Sequence, residues 1–524
     1  CLPIRSDGVY RWVICAEVFK TPQSFPQSRC RTMAGLWAPT KGSAATILAT
    51  RMSRATKSRM SHSGRLMDGS SLIFAHMKEQ ALAAFPALTT SKWEEIASKS
   101  LKGKDLESLV SSRFDGLDLP LWRSDSPEVE GMPPRAVAKP EAGMPWEIQQ
   151  TCDGPADVLE ALANGVQGLR LSASACESNG LEALLDGVYL EMVRLHLDGP
   201  EATGLLRGLM NLQKRRADAL QQPLNPSGAC TLDILRKDWW MTDGPARLDR
   251  HVASWGAAFP NFRTWGADAS PWLAAGMDAA DAMAWLLFGL HRQWTIWQSQ
   301  NRGNQGPWHA VVLQWAVGSE VLVEAAGLRA LRRVWSQFLA SKGIADVPVW
   351  IDAMTNPIRF ERWQPEDNLL RCTASGYAAV LGGADGVEIL PHDVLAPEGM
   401  SARSRRWARN IQHLLIEESR LHATSDPLKG SRWVETATAQ IAELAWRNYQ
   451  DLIQHTDLAS RPDGWLTERI LAGRLHRLKE GMFRPSDAPA AHGRGMEAPQ
   501  EVVWDELGRP LPWHLVDHLK TQEA

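Results

Sequence analysis

The residues with the most chemical potential lie between Asn368 and Glu417. Arg371 and Arg409 each carry a planar guanidinium that can grip a phosphate or carboxylate with two parallel hydrogen bonds. Asn368, Asp393, Gln412 and Glu417 are polar groups that can complete such a wall. The alternative use of the same charges is internal ion pairing, because Arg409 and Glu417 fall on one helix. Gly382-Gly383-Ala384-Asp385-Gly386 offers a phosphate loop at first sight. It lacks the GxGxxG spacing and the P-loop lysine, and it precedes a strand, so we read it as a helix-to-strand turn. His309, His392, His413 and His422 have no metal-ligand spacing. The seven cysteines form no CxxC pair, which implies neither a zinc site nor a disulfide framework. Reduced thiols of a cytoplasmic protein are the reading that fits them.

These groups need elements to position them. Trp146-Glu-Ile-Gln-Gln reads as a strand, Pro155 to Ala163 as a helix stopped at Gly165, and Val166 to Ser172 as a strand. Leu181 to Leu185 reads as helix, Leu190 to Leu197 as strand and Ala202 to Leu212 as helix; later strands fall near Val347 to Asp352 and Val387 to Leu390. Short apolar strands alternating with helices predict a parallel sheet covered on its outer face. Repeated roughly eight times, this is an α/β TIM-type (β/α)8 barrel. Trp407, Ile411, Leu414 and Leu415 keep helical spacing, as do Ile441, Leu444, Ala445 and Tyr449. The expected organisation is a leader at 1–65, an N-terminal arm and linker at 85–145, the barrel at 146–484 and a tail at 485–524.

The leader is basic, with Asp7 and Glu17 as its acids, and has the composition of an organellar transit peptide. It begins with Cys and lacks apolar periodicity, so we read it as an upstream or fragmentary leader, with Met60 or Met67 as the start. Ser91-Lys-Trp-Glu94 reads as a capping box. Residues 124 to 145, punctuated by proline and glycine, read as linker. The 524-residue chain has 44% hydrophobic and 22% charged residues and a net charge of -3. Nothing there implies nucleic acid, and no apolar run reaches the ~18 residues of a membrane span. Tryptophan is unusual, at 24 residues against 4 tyrosines.

Several ordered motifs resemble the methylmalonyl-CoA mutase family, the coenzyme-B12-dependent acyl-CoA mutases. They are Asn368-Leu-Leu-Arg371-Cys-Thr373, the run from Ala378 to Asp393, the run from Ala408 to Ser419, Asp426-Pro427 and Gly430 to Glu435. Gly327-Leu328-Arg329-Ala330-Leu331-Arg332 is similar to the family's Ala-Lys-Leu-Arg-Ala-Leu-Arg, with Gly327 in place of the lysine. The resemblance covers roughly residues 85 to 480. It implies a barrel that encloses radical chemistry carried by the cofactor.

The resemblance also exposes departures. The family's cobalamin motif, Asp-x-His-x-x-Gly, is approached only by Asp249-Arg-His251-Val-Ala-Ser254, and we read His251 as a surface histidine beside two charges. The family's Tyr-His-x-Ala-Gly-Ala strand end resembles Trp272-Leu273-Ala-Ala-Gly276-Met277, where leucine can neither donate a hydrogen bond nor move a proton. The early Tyr-Ala-Gly-Phe motif corresponds to Gln149-Gln150-Thr151-Cys152-Asp153-Gly154. Leu390-Pro391-His392-Asp393 is similar to the Leu-Pro-Phe-Asp of small subunits. The resemblance therefore implies a small subunit with no catalytic residue of its own, no C-terminal cobalamin domain and no metal site. Asn368, Arg371, Asp393, Arg409 and Gln412 are its candidate acyl-CoA-binding remnants. Adenosylcobalamin would be held by a large catalytic subunit in a heterodimer, with the arm from Trp93 to Trp122 against that partner. The alternatives are an active barrel that borrows a separate B12-binding subunit, and a scaffolding pseudoenzyme.

Overall fold

The computed structural model describes residues 2–6, 9–13, 89–102, 104–106, 111–114, 117–119, 146–198, 202–240, 244–300, 306–362, 364–479, 501–505 and 508–512. It divides into two units, Cys1–Lys92 and Trp93–Ala524. In the first, Leu2–Ser6 and Val9–Val13 pair antiparallel. A helix spans Thr90–Ser100, so Ser91 lies inside its first turn and not at the N-cap expected for it. The linker at 124–145, Met60, Met67 and Trp122 lie outside the described residues. In the second unit a short hairpin pairs Ser111–Phe114 with Leu117–Leu119.

A closed parallel barrel follows, and it bears out the expected fold. Its strands are β1 (Glu147–Thr151), β2 (Gly168–Ser172), β3 (Arg194–Asp198), β4 (Ser227–Asp233), β5 (Phe262–Asp268), β6 (Val311–Val317), β7 (Trp350–Thr355) and β8 (Gly386–Glu388). They lie side by side in chain order, and β8 closes on β1 through Gly386 opposite Glu147 and Glu388 opposite Gln149. The helices that follow the strands are α1 (Pro155–Ala163), α2 (Ala173–Asn179), α3 (Ala202–Leu220), α4 (Gly244–Ala258), α5 (Ala279–Ser299), α6 (Val321–Ser341), α7 (Asn368–Leu381) and α8 (Ala402–Glu417). Two more, α9 (Arg432–His455) and α10 (Asp463–Lys479), complete the unit. α9 packs on both α5 and α6, and the Ser111–Leu119 hairpin runs alongside α9 and α10.

Strand geometry sends alternate side chains to opposite faces. The outward set includes Ile148, Leu169, Leu195, Trp265, Leu313 and Ile351, all buried in one continuous apolar cluster with the helices. Burial of this layer removes apolar surface from water and is the main stabilising term. The inward apolar residues Ala229, Val312 and Trp350 form a separate small cluster inside the barrel. Most of the remaining inward positions along the middle of the barrel are polar or charged.

Candidate functional site

The barrel axis is filled by an ion network. His196 Nε2 lies 2.6 Å from Glu147 Oε1, and His196 Nδ1 lies 3.5 Å from Asp352 Oδ2. Gln149 Nε2 donates to Asp352 Oδ1 at 2.7 Å and to Glu147 Oε1 at 3.1 Å. Arg170 sits 3.6 Å from Asp352 and 3.4 Å from Glu388. The second Glu388 oxygen accepts from the Thr151 N–H at 2.7 Å, and Trp350 Nε1 donates to Asp352 at 2.6 Å. Gln314, with its amide turned to suit its neighbours, accepts from Arg170 at 3.0 Å and donates to Asp268 at 3.1 Å. The network therefore joins β1, β2, β3, β5, β6, β7 and β8.

These side chains pass directly over the backbone of neighbouring strands. A Cβ at Gly168 would stand 2.1 Å from Glu147 Oε1, and one at Gly386 would stand 2.1 Å from Gln149 Nε2. Glycine at these two positions is a condition for the network to fit. Glu147, Arg170, His196, Asp352 and Glu388 are all enclosed, with exposures from 2% at His196 to 8% at Arg170, and Asp268 at the end of β5 is half-buried.

The electrostatics follow from that enclosure. Burial alone would lower the His196 pKa, but the Glu147 and Asp352 carboxylates outweigh it and raise the value to about 10. Burial would likewise raise Asp352, yet His196, Arg170 and the Trp350 N–H hold it below the usual carboxylate range. His196 is thus a locked imidazolium near neutral pH, unsuited to accepting a proton there. At the C-terminal end of the axis, Asp233 and Asp268 form a second, half-buried group. Burial and the Asp268 charge push Asp233 up to about 7, and burial also raises Asp268.

The residues nominated from sequence are engaged by protein groups. Asn368 clasps a loop: its Oδ1 accepts from the Glu361 N–H at 2.7 Å, and its Nδ2 donates to the His392 carbonyl at 2.9 Å. Arg371 donates to Asn368 at 2.9 Å and lies 3.7 Å from Glu361. Asp393 accepts from the Ser401 N–H at 3.0 Å. Arg409 donates to Gln150 at 2.6 Å and pairs with Glu160. Gln412 accepts from Trp146 Nε1 at 3.1 Å and donates to the Val387 carbonyl at 3.2 Å. Asn368 and Arg371 therefore belong to the first turn of α7, which follows β7, and Asp393 to the loop after β8. Arg409 and Gln412 lie on α8, facing β1 and β8.

The motif residues meet one another. Arg329, from the Gly327–Arg332 motif, pairs with Asp426 and, at 2.7 Å, with Glu435. Arg332 donates to the carbonyls of Val349 and Gly383 and pairs with Asp385 at 2.7 Å. Asp385 in turn accepts from the Ile351 N–H at 2.9 Å. Gly382 to Gly386 is the helix-to-strand turn expected, with Gly383 at φ 83° between α7 and β8. These motifs lock α6, α9 and the β7–β8 edge together.

At the C-terminal rim, where barrels of this kind place their ligands, Trp272 and Leu273 lie in a short helical turn, Ser270–Ala275, after β5. Trp272 is buried against Trp285. Leu273 lines a small pocket of about 70 Å³ over β6 and β7, together with Glu324, Arg359, His476 and Arg477. Burial and the nearby Glu320 charge raise Glu324 to about 7, against the opposing pull of the Gly318 N–H, Arg477 and Arg359. Among the described residues, no cluster of three or more His, Cys, Asp or Glu could hold a metal ion, and no helix is long and apolar enough to cross a membrane.

His251 is not the surface residue expected from its charged neighbours, because α4 turns it inward to 2% exposure. Its Nε2–H donates to the Cys230 carbonyl at 3.0 Å, and its Nδ1 accepts from Trp255 Nε1 at 3.1 Å. Burial lowers its pKa, which keeps the ring neutral. A histidine that is to meet cobalamin must present a free ring nitrogen, and His251 has none. The residues of this stretch do not fit the cofactor.

The family model described as methylmalonyl-CoA mutase matches residues 260–459. The chain is 30% identical over 429 residues to the methylmalonyl-CoA mutase small subunit of Streptomyces virginiae, covering 76% of this chain and 69% of that protein. It is 24% identical over 476 residues to the small subunit of Propionibacterium freudenreichii subsp. shermanii, covering 82% and 73%. A probable small subunit of Mycobacterium bovis is 30% identical over 312 residues, where the match spans 57% of this chain and half of the relative's length, 50%.

Proposed function

The chain belongs to the methylmalonyl-CoA mutase family, and from that premise we propose that it is a small-subunit component of a B12-dependent methylmalonyl-CoA mutase, with a barrel that does not itself carry the reaction. The filled axis carries this reading. Glu147, Gln149, Arg170, His196, Asp352 and Glu388 occupy the space along which an acyl-CoA would have to be enclosed. Displacing them would leave buried charges unpaired, at a cost of several kcal/mol per ion. Leu273 supports the same reading, because it offers no proton or hydrogen bond to a thioester. The isomerisation of methylmalonyl-CoA and succinyl-CoA is then performed on a large partner subunit. That partner holds adenosylcobalamin, which supplies the radical chemistry. The names of these small-subunit relatives support a heterodimer with such a partner, and the cytoplasm fits the buried reduced thiols of Cys152, Cys176, Cys230 and Cys372.

The test is co-expression with a candidate large mutase subunit, followed by size exclusion and visible spectroscopy. We expect co-elution, with cobalamin and mutase activity found only when the large subunit is present. Mutase activity from this chain with a lone B12-binding domain would overturn the reading in favour of an active barrel.

A further inference from the structure

After α10 the described chain resumes at residues 501–505 and 508–512. This segment folds back on itself. Trp504 bridges Pro510, Asp505 N–H donates to the Arg509 carbonyl at 2.9 Å, and Leu511 N–H donates to the Val503 carbonyl at 2.8 Å. Its backbone is pinned from two sides. Arg474, itself fully buried, donates to the Glu501 carbonyl at 3.1 Å and to the Ala275 carbonyl at 2.6 Å. Arg461 donates to the Gly508 carbonyl and stacks its guanidinium 5.3 Å from the Trp504 ring centroid. Val502 enters the main apolar cluster at 7% exposure.

The contacts place this turn at the C-terminal end of the barrel. Lys237 follows β4 and Ala275 follows β5; the turn lies against the first loop and is tied through Arg474 to the second. The approach at Lys237 is close: a Cβ at Gly508, whose φ is 66°, would stand 2.5 Å from Lys237 Cβ. The last residues of β4 and β5 are Asp233 and Asp268, joined by Asp268 N–H donating to Asp233 Oδ1 at 3.1 Å. Arg509 and Arg170 direct positive charge at Asp268, while Arg236 and Arg461 direct it at Asp233. Arg461 also faces Asp463 and Asp505, and Arg509 pairs with Asp505 at 2.9 Å. A turn carrying an arginine therefore lies against the loop after β4 and is tied through Arg474 to the loop after β5, beside a half-buried acid pair and clamped by two arginines of the barrel unit.

We propose that residues 501–505 and 508–512 form a cap over the C-terminal mouth of the barrel beside Asp233 and Asp268, a closing contact against ligand entry on the β4–β5 side. The cap does not depend on the barrel's being a mutase subunit. It follows from the clamp and from the position of the strand ends, and it applies equally to a barrel that retains a ligand. Closure leaves the rim pocket over β6 and β7 as the open part of the mouth.

Hydrogen exchange by mass spectrometry on the full chain tests the cap. The first variant is Gly508→Val, which places a β-branched side chain at a left-handed position against Lys237. The second is a chain ending at residue 500, which removes the turn outright. In both we expect amide exchange at Ile234, Leu235, Ser270, Trp272 and Leu273 to rise about tenfold, with α6 unchanged and circular dichroism intact. Unchanged exchange at the mouth would show that the turn lies on the surface without closing it. A uniform rise through α6 and α9 would show that it is a structural staple. Either result overturns the cap.

Discussion

The two faces of the same eight strands differ in chemistry and in what they do. The outward face and the helices around it are apolar and rich in tryptophan. Trp308 meets Trp265, Trp297 and Trp335 edge-on at centroid distances of 5.5, 5.4 and 6.3 Å. The inward face carries Glu147, Arg170, His196, Asp352 and Glu388, all enclosed. Ring burial is strongly favourable, whereas a buried ion network repays little more than its own desolvation. The shell therefore supplies stability, and the interior supplies register and closure. The comparison teaches that a barrel can draw its stability mainly from its outer face, which leaves the inner face free to fill with charge.

The sharpest way to break this comparison is to strike the shell. Trp308→Ala should cost about 4–5 kcal/mol, near the top of the range for deleting a large core ring, read from urea unfolding. A loss under about 1 kcal/mol would mean that the shell is not the main support. Striking one interior partner should cost somewhat less. Arg170→Met leaves the Asp352 and Glu388 carboxylates without their guanidinium, worth about 3 kcal/mol. Replacing Arg170, Asp352 and Glu388 together by apolar residues should recover much of that loss. Failure to recover would show that the network stabilises the barrel in its own right.

A smaller effect appears only with pH. His196 has its pKa raised on folding from 6.5 to about 10, so its stabilisation is complete below pH 6.5 and is lost as pH rises through 10. Asp352 has its pKa depressed, so its share is present above 3.8 and is lost as pH falls further. Denaturant midpoints should therefore decline between pH 6.5 and 10 in the parent, and His196→Gln should flatten that decline. An identical alkaline slope in the variant would place the titrating group elsewhere.

The shell was legible in the sequence and the interior was not. Pro155 to Ala163 has helical spacing and a proline at its start, and the structure places a helix over the same residues. The strand expected from Leu190 begins at Arg194, and the helix expected to end at Leu212 runs on to Leu220. β4, β5 and β6 were not assigned individually. Val311–Val317 is an apolar run whose period cannot separate strand from buried helix, and Ser227–Asp233 is built of small residues with a register shift between Ala229 and Leu232. The network was hidden because its partners are remote: Thr151 and Glu388 are 237 residues apart. One signal was present. Arg194-Leu-His-Leu-Asp198 and Gly168-Leu-Arg-Leu-Ser172 alternate polar with apolar, whereas a parallel strand buried on two apolar faces reads as a continuous apolar run.

The smallest expected effect concerns Arg371, which sequence placed at the acyl-CoA site and which belongs to neither face of the barrel. It leans on Asn368 at 2.9 Å and faces Glu361 at 3.7 Å, with 28% of its side chain exposed. A half-exposed pair at that distance is screened by water, so Arg371→Ala should cost less than about 1 kcal/mol. Asn368 keeps its bonds to Glu361 and His392 without the guanidinium, so the loop should hold its shape. If charge on this chain serves structure only, calorimetric titration with coenzyme A should give the same result for parent and variant. A tenfold or greater loss of coenzyme A affinity at unchanged stability, about 1.4 kcal/mol, would make Arg371 a ligand group. Binding would then persist on the rim above a barrel whose axis is closed, and the division between a supporting shell and a filled interior would need a third, ligand-bearing surface.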